Sequence, residues 1–235
     1  MHGNSRHITS TQTDIHRQLS AVVSRHASST FRKPVMDFNR AAFDASVAAW
    51  KNAGAMPLIL DAGCGVGMST RNLAQQFPDH FVIGVDQSAD RLTRNTHAAE
   101  GVPANCMLVR ADLVDYWRLM LAAEIRPARH YLLYPNPWPK IGHLGRRWHG
   151  HAVFPTVLAL GGILECRSNW RVYIDEMSSA IRQLTAIDVR CEAFDTTEPI
   201  TPFERKYLAS QHSLWRCMAD LDPMRTSLNR CDNEA

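Results

Sequence analysis

The sequence has no apolar run of about 18 residues, so no stretch of it suits a membrane-spanning helix. Its N-terminal segment is polar, rich in Ser, Thr, His and Arg, and lacks the apolar centre of a secretory signal. A cytoplasmic protein is expected. Cys64, Cys106, Cys166, Cys191, Cys217 and Cys231 are scattered, with no Cys-x-x-Cys pair. That excludes the usual paired-cysteine zinc site and a disulfide scaffold; no metal is expected, and the thiols read as reduced, several of them small core residues. Acid is absent from a long stretch: between Ile125 and Leu164 there is no Asp or Glu, while Arg126, Arg129, Lys140, Arg146, Arg147 and four histidines fall there. The net charge of +3 conceals this local basic face, which suits a polyanionic partner.

What is present is a chain of 235 residues with 45% hydrophobic content, enough for one α/β domain with an extension. Residues 1–35 carry Arg6, Arg17, Arg25, Arg32 and Lys33 against Asp14 alone, the composition of a basic arm that is disordered or orders on nucleic acid. Residues 36–235 then read as a single domain. Helices are expected over 39–52, 68–77, 88–99, 113–124, 152–160 and 170–184, and strands over 58–60, 81–85, 107–109, 130–134, 163–166, 187–191 and 214–218, with a loop over 193–204. Alternating strand and helix imply a mainly parallel seven-stranded sheet covered on both faces, a Rossmann-like α/β architecture. Ligands in such sheets bind beyond the carboxyl ends of the strands.

Three strand ends carry matching chemistry. Asp61-Ala62-Gly63-Cys64-Gly65-Val66-Gly67 follows the first strand and opens a helix. The Gly-x-Gly-x-Gly spacing departs from the dinucleotide Gly-x-Gly-x-x-Gly pattern, since Met68 occupies the next position. Asp61 would sit badly beside a pyrophosphate and well beside an α-amino group. The second strand ends in Asp86, where a carboxylate can accept both hydroxyls of a ribose. The third ends in Asp112, where one can accept from an exocyclic amine such as that of adenine. Gly63, Gly65 and Gly67 with Asp61, Asp86 and Asp112, in this order, point to S-adenosylmethionine as cofactor.

The fourth strand runs into Tyr134-Pro135-Asn136-Pro137-Trp138-Pro139-Lys140, followed by His143 and Arg146-Arg147. Further on come Gly161-Gly162, Asn169-Trp170, Tyr173 and Met177, then Thr201-Pro202-Phe203-Glu204-Arg205. These motifs, over roughly residues 55–218, resemble the bacterial tRNA (guanine-N7-)-methyltransferases, the TrmB family. The resemblance implies a class I methyltransferase fold, S-adenosylmethionine as donor with S-adenosylhomocysteine as product, and tRNA as partner, with guanine 46 of the variable loop as acceptor. It implies that Lys140 contacts the substrate, that residues 142–147, His143, Arg146 and Arg147 among them, contact RNA phosphates, and that Asn169, Thr201, Phe203 and Glu204 help frame the guanine. Family members occur as monomers and as homodimers.

Two positions depart from the family pattern: Asn136 and Asn169 stand where it has acids. Guanine N7 has a free lone pair, so no proton must leave before attack, and alignment matters more than a strong base. Asn136, at the presumed reaction centre, could still direct its carbonyl dipole at the cationic product base. Two other readings stay open: a methyltransferase acting on exocyclic amines of RNA or protein, since Asn-Pro-Trp resembles the Asn-Pro-Pro-aromatic motif of those enzymes, and a non-catalytic tRNA-binding paralogue.

Overall fold

The computed structural model describes residues 3–94 and 102–222. Its elements follow in the order α1 (Leu19–Ala27), α2 (Asp37–Asn52), β1 (Leu58–Ala62), α3 (Met68–Gln76), β2 (Phe81–Asp86), α4 (Ala89–Thr93), β3 (Cys106–Arg110), α5 (Leu113–Ala122), β4 (Arg129–Leu133), α6 (Phe154–Ala159), β5 (Ile163–Ser168), α7 (Arg171–Thr185), β6 (Arg190–Phe194), α8 (Pro202–Ala209) and β7 (Leu214–Asp220). Two 3-10 turns, Ile141–Arg146 and Trp148–Gly150, precede α6. The seven strands belong to one mixed α/β sheet. The chain forms two compact units, Lys33–Leu133 and Met1–Arg32 with Tyr134–Ala235.

In the first unit β1 pairs in parallel with β2 and β4, and β2 with β3. Every residue of β1 and β2 is buried, which is why both read as unbroken apolar runs rather than alternating ones. The register sets Asp61 beside Gly84 and Asp86 beside Arg110, so the acids close the same end of the sheet. Helix α3 lies tightly on β2: a Cβ added to Gly84 would meet Thr70 Oγ1 at 2.1 Å. Helix α2 docks on α5 through Phe43, packed edge-on to Tyr116 with ring centroids 5.4 Å apart, and through a hydrogen bond of 2.8 Å between the Ser46 and Tyr116 hydroxyls. The helix expected over 88–99 is described only as α4, with the Ser88 hydroxyl accepting the Arg91 N–H as its cap; residues 95–99 lie outside the described residues, as does Cys231.

In the second unit β7 pairs antiparallel with both β5 and β6. Cys217 therefore lies opposite Cys166 on one side and Cys191 on the other, a row of thiols that no local spacing reveals. Helix α7 buries eight of its residues, among them Tyr173, Ile174, Met177 and Ile181. The N-terminal arm packs in this unit. Helix α1, unforeseen from composition, buries Leu19 and Val23, and Gln183 on α7 donates to Ser20 O and Ser24 Oγ. Ahead of α1, the Gln12 and His16 side chains are buried. The arm is thus anchored by two apolar and two polar side chains, too few to register in a composition rich in Ser, Thr, His and Arg.

Two other boundaries moved. Strand β6 begins three residues later than the expected 187, and the expected loop over 193–204 ends in a helix, α8. Thr201, Pro202 and Glu204 form its start: the Thr201 hydroxyl accepts the Glu204 N–H at 2.9 Å and proline fills the first helical position.

The close approach at residue 84 generates a stability test. Gly84→Ala forces α3 off the sheet or Thr70 out of its rotamer, and should cost about 1–3 kcal/mol in urea unfolding; an unchanged midpoint would show that α3 is not seated as described.

Candidate active site

In the Lys33–Leu133 unit the glycine loop turns through left-handed backbone, with φ of 81°, 59° and 75° at Gly63, Gly65 and Gly67. Gly63 and Cys64 both donate backbone N–H groups to Val85 O, which pins the loop to the end of β2. Asp61 is 1% exposed. Its Oδ2 accepts hydrogen bonds from Ser69 Oγ at 2.6 Å and Thr70 Oγ1 at 2.7 Å, both on the first turn of α3. Its Oδ1 is buried and has no hydrogen-bond partner among the described residues. Burial pushes the Asp61 carboxyl up to about 6, against the pull of the two hydroxyls. A buried acceptor with no partner is costly unless a ligand supplies a donor.

Asp86 ties the loop together. Its Oδ2 accepts the Gly65 N–H at 3.0 Å, its Oδ1 accepts the Ser88 N–H at 2.8 Å, and Arg91 Nη1 stands 3.5 Å away. Each carboxylate oxygen retains a lone pair beyond these bonds. Asp112 caps α5 through Val114 N–H, while its Oδ2 lies 3.7 Å from Lys33 Nζ and stays partly exposed. Asn39 on α2 sets its position: Asn39 Oδ1 accepts the Asp112 N–H and its amide donates to Asp115 Oδ2 at 2.6 Å. The structure thus brings all six expected donor-site residues to one end of one unit. It adds Ser69, Thr70 and Asn39, which the sequence reading passed over. Ser69 and Thr70 had a signal, being hydroxyls directly after the glycine loop; Asn39, on another helix, had none.

The acceptor-side residues all lie in the other unit. Tyr134 and Trp138, at either end of the Pro-Asn-Pro segment, adopt left-handed φ of 51° and 45°, conformations that bulky residues hold only when their surroundings impose them. Asn136 is exposed, and its Oδ1 accepts the Trp138 N–H at 3.3 Å. Lys140 and Arg146 are exposed, and the Arg146 guanidinium lies over the Trp138 ring, 4.8 Å from its centroid. His143 packs edge-on to the same ring at 5.5 Å, and its Nδ1 is buried without a partner. Loss of water around it, then the charges of Arg146, Lys140 and Arg147, hold His143 below the usual imidazole range.

Arg147 corrects an expectation. It was assigned to RNA phosphates, but its side chain is 0% exposed and paired to Glu176 at 2.6 Å. Glu204 is likewise enclosed: Oε1 accepts from Tyr134 Oη at 2.7 Å and Arg167 Nη1 at 2.9 Å, and Oε2 accepts the Ile200 N–H at 2.7 Å. Thr201 spends its hydroxyl on the α8 cap. Phe203 presents an exposed ring stacked on Tyr207. The Asn169 amide contacts His212 Nδ1 at 3.1 Å. Arg167 was not among the expected site residues, although it lies between Gly161-Gly162 and Asn169-Trp170 in the sequence; its side chain sits between Glu165 and Glu204.

A family model described as "Putative methyltransferase" matches residues 55–217. The chain belongs to this methyltransferase family. Among curated proteins, the methyltransferase is 27% identical over 205 residues to a tRNA (guanine-N(7)-)-methyltransferase of Aromatoleum aromaticum, covering 84% of this chain and 78% of that one. It is 32% identical over 172 residues to the protein of that name from Mycolicibacterium gilvum, covering 65% of this chain and 63% of the relative, a little under two thirds of its length. Among solved structures, a 16S rRNA (adenine(1408)-N(1))-methyltransferase from Catenulisporales acidiphilia superposes with a TM-score of 0.52 at 19% identity, covering 74% and 92% of the two chains. That likeness shows the shared fold.

The residues of the Lys33–Leu133 unit fit a methyl donor built on an amino acid and a nucleoside. The fit rests on Asp61 Oδ1, an unpaired anionic acceptor for an ammonium group. Its titration gives a test. The folded-state value of about 6 lies above that of an ordinary aspartate, so Asp61 favours the fold most at low pH, and that contribution is lost as pH rises through about 6. Donor binding runs the other way, because an ammonium needs the ionised carboxylate. Calorimetric affinity for S-adenosylmethionine should fall about tenfold per unit below pH 6. A flat profile from pH 5 to 7.5 would remove Asp61 from the donor site.

Proposed function

We propose that this methyltransferase moves the methyl group of S-adenosylmethionine to N7 of a guanine in tRNA, the variable-loop guanine 46 by resemblance. The carrying observation is the half-satisfied carboxylate of Asp61 behind a left-handed glycine loop, with Asp86 and Asp112 at the ends of the next two strands. The names of the relatives support the acceptor, as does the exposed cationic group formed by Lys140 and Arg146. A tRNA substrate implies a cytoplasmic enzyme.

When bound, S-adenosylmethionine supplies an electrophilic methyl on a sulfonium. Asp61 Oδ1 would accept from its ammonium, the remaining lone pairs of Asp86 would take the ribose hydroxyls, and Asp112 would take the adenine amine. Gly63, Gly65 and Gly67 allow backbone to approach the ligand without a Cβ in the way. Lys140, His143 and Arg146 meet phosphates and substrate. Asn136 turns its amide dipole to the base that becomes cationic, and Phe203 offers a face for stacking. Asn169, Thr201 and Glu204 hold the surrounding frame. No group need remove a proton, since N7 attacks with a lone pair it already has. The rate then depends on holding base and methyl in line.

Incubation with labelled S-adenosylmethionine and unmodified tRNA, followed by nucleoside analysis, should yield N7-methylguanosine. A methylated exocyclic amine would point to the amine-directed reading, and tRNA binding without label to a non-catalytic paralogue. Arg146→Ala should weaken tRNA binding and reduce the slope of log affinity against log salt by about 1. Donor affinity should not change; a drop in donor affinity with unaltered tRNA binding would reverse the assignment of this loop.

A further inference from the structure

Glu176, on α7, was not among the expected site residues, yet its carboxylate is met by four hydrogen bonds. It is fully buried. Its Oε1 accepts from Gln12 Nε2 at 2.6 Å and from the His16 backbone N–H at 3.0 Å. Its Oε2 accepts from Arg147 Nη1 at 2.6 Å and pairs with His149 Nε2 at 2.8 Å. Burial alone would raise this carboxyl, but the hydrogen bonds and charges of His149 and Arg147 outweigh it and bring it down to about 2. It is therefore ionised throughout the working range.

The network ends on the acceptor-side loop. Arg147, anchored by Glu176 and by Gln12 Oε1 at 2.9 Å, donates from Nε and Nη2 to Trp138 O at 3.3 and 3.1 Å. Its guanidinium also lies over the Trp170 ring, 4.9 Å from the centroid. Ser10 Oγ donates to the next carbonyl, Pro139 O, at 2.6 Å. Two consecutive carbonyls, directly between exposed Asn136 and exposed Lys140, are thus held by one buried ion pair and one hydroxyl of the N-terminal arm. Trp138 keeps its left-handed φ of 45° within this grip. A buried ion pair contributes little net stability compared with apolar residues of the same volume, but it does fix geometry and register.

We propose that Glu176 is a positioning residue for methyl transfer: acting through Arg147, and with Ser10 and Gln12 of the arm, it sets the conformation of residues 136–140. This rests on the reading of that loop as the acceptor side. In the intact protein, Glu176→Gln removes the charge that orients Arg147, Gln12→Ala removes the arm's side-chain bonds to both, and Ser10→Ala releases Pro139 O. Each should lower kcat for tRNA methylation, by about tenfold or more for Glu176→Gln, with donor affinity unchanged. Ser10→Thr, which keeps the hydroxyl, should recover the rate. Hydrogen–deuterium exchange should quicken across 138–147 and stay as in the parent across 58–86. If Glu176→Gln fails to fold, Gln12→Ala and Ser10→Ala decide. Folded variants with parental kcat and parental exchange at 138–147 would overturn the proposal. Should the parent itself make no N7-methylguanosine, the functional reading falls, and the exchange data alone then decide whether Glu176 fixes the loop.

Discussion

A carboxylate removed from water is costly to keep ionised unless donors meet its oxygens, and where they fall short its proton is held more tightly. Glu176 meets that demand in full, with four donors drawn from the arm, from Arg147 and from His149. The arrangement of its unit follows from this. The arm cannot leave without stripping Gln12 and the His16 N–H from the carboxylate, and Arg147 cannot turn to solvent without leaving a buried anion behind. Asp61 meets the same demand by half. Its Oδ2 has two hydroxyl donors and its Oδ1 has none, and the carboxyl sits near 6 where Glu176 sits near 2. Both side chains are sealed from bulk water, so burial alone does not separate them. The partners do: Glu176 has hydrogen bonds and charge from His149 and Arg147, Asp61 has two neutral hydroxyls and the neighbouring Asp86, and its Oδ1 has capacity left for a ligand.

The same count sorts the residues of the acceptor-side unit. Glu204 has three donors and no exposure, and Thr201 caps the helix that carries it. Their chemistry is spent inside the protein, so they act on a substrate only through the frame they build. Arg147 belongs with them. Arg146, its neighbour in sequence, lies over Trp138 with its charge open to water. A pair of adjacent arginines that looks uniform in the sequence is split by the 3-10 turn into a buried structural cation and an exposed one.

Most of the sheet was legible because buried parallel strands are short, apolar and bounded by turn residues; β1 after Pro57 and β2 ending in Asp86 are examples. The donor site was legible for a related reason: its residues follow strand ends in chain order, so sequence position stands in for space. Where partners come from distant segments, that proxy fails. Asn39 reaches Asp112 across 73 residues, and Gln12 reaches Glu176 across 164. Nothing in either neighbourhood announces the pairing. Helix α8 is a different case, because its signal was present in Thr201-Pro202-Phe203-Glu204 and was absorbed into a functional motif before being considered as a cap.

Asn136 and Asn169 stand where the pattern of the resembled family has acids. Asn136 Oδ1 accepts the Trp138 N–H two residues on, a turn that aspartate makes equally well. What is lost is charge in a stretch that contains no other acid from Ile125 to Leu164. At position 169 the change has a partner. The Asn169 amide donates to His212 Nδ1, whose Nε2 in turn donates to Ser5 O. An aspartate at 169 has no N–H to give, so the contact with Nδ1 as it stands needs the amide. The His212 ring is stacked between His7 and Tyr207, which holds it in the orientation these two bonds require. At both positions a negative charge is absent while a hydrogen bond from the asparagine side chain is in place.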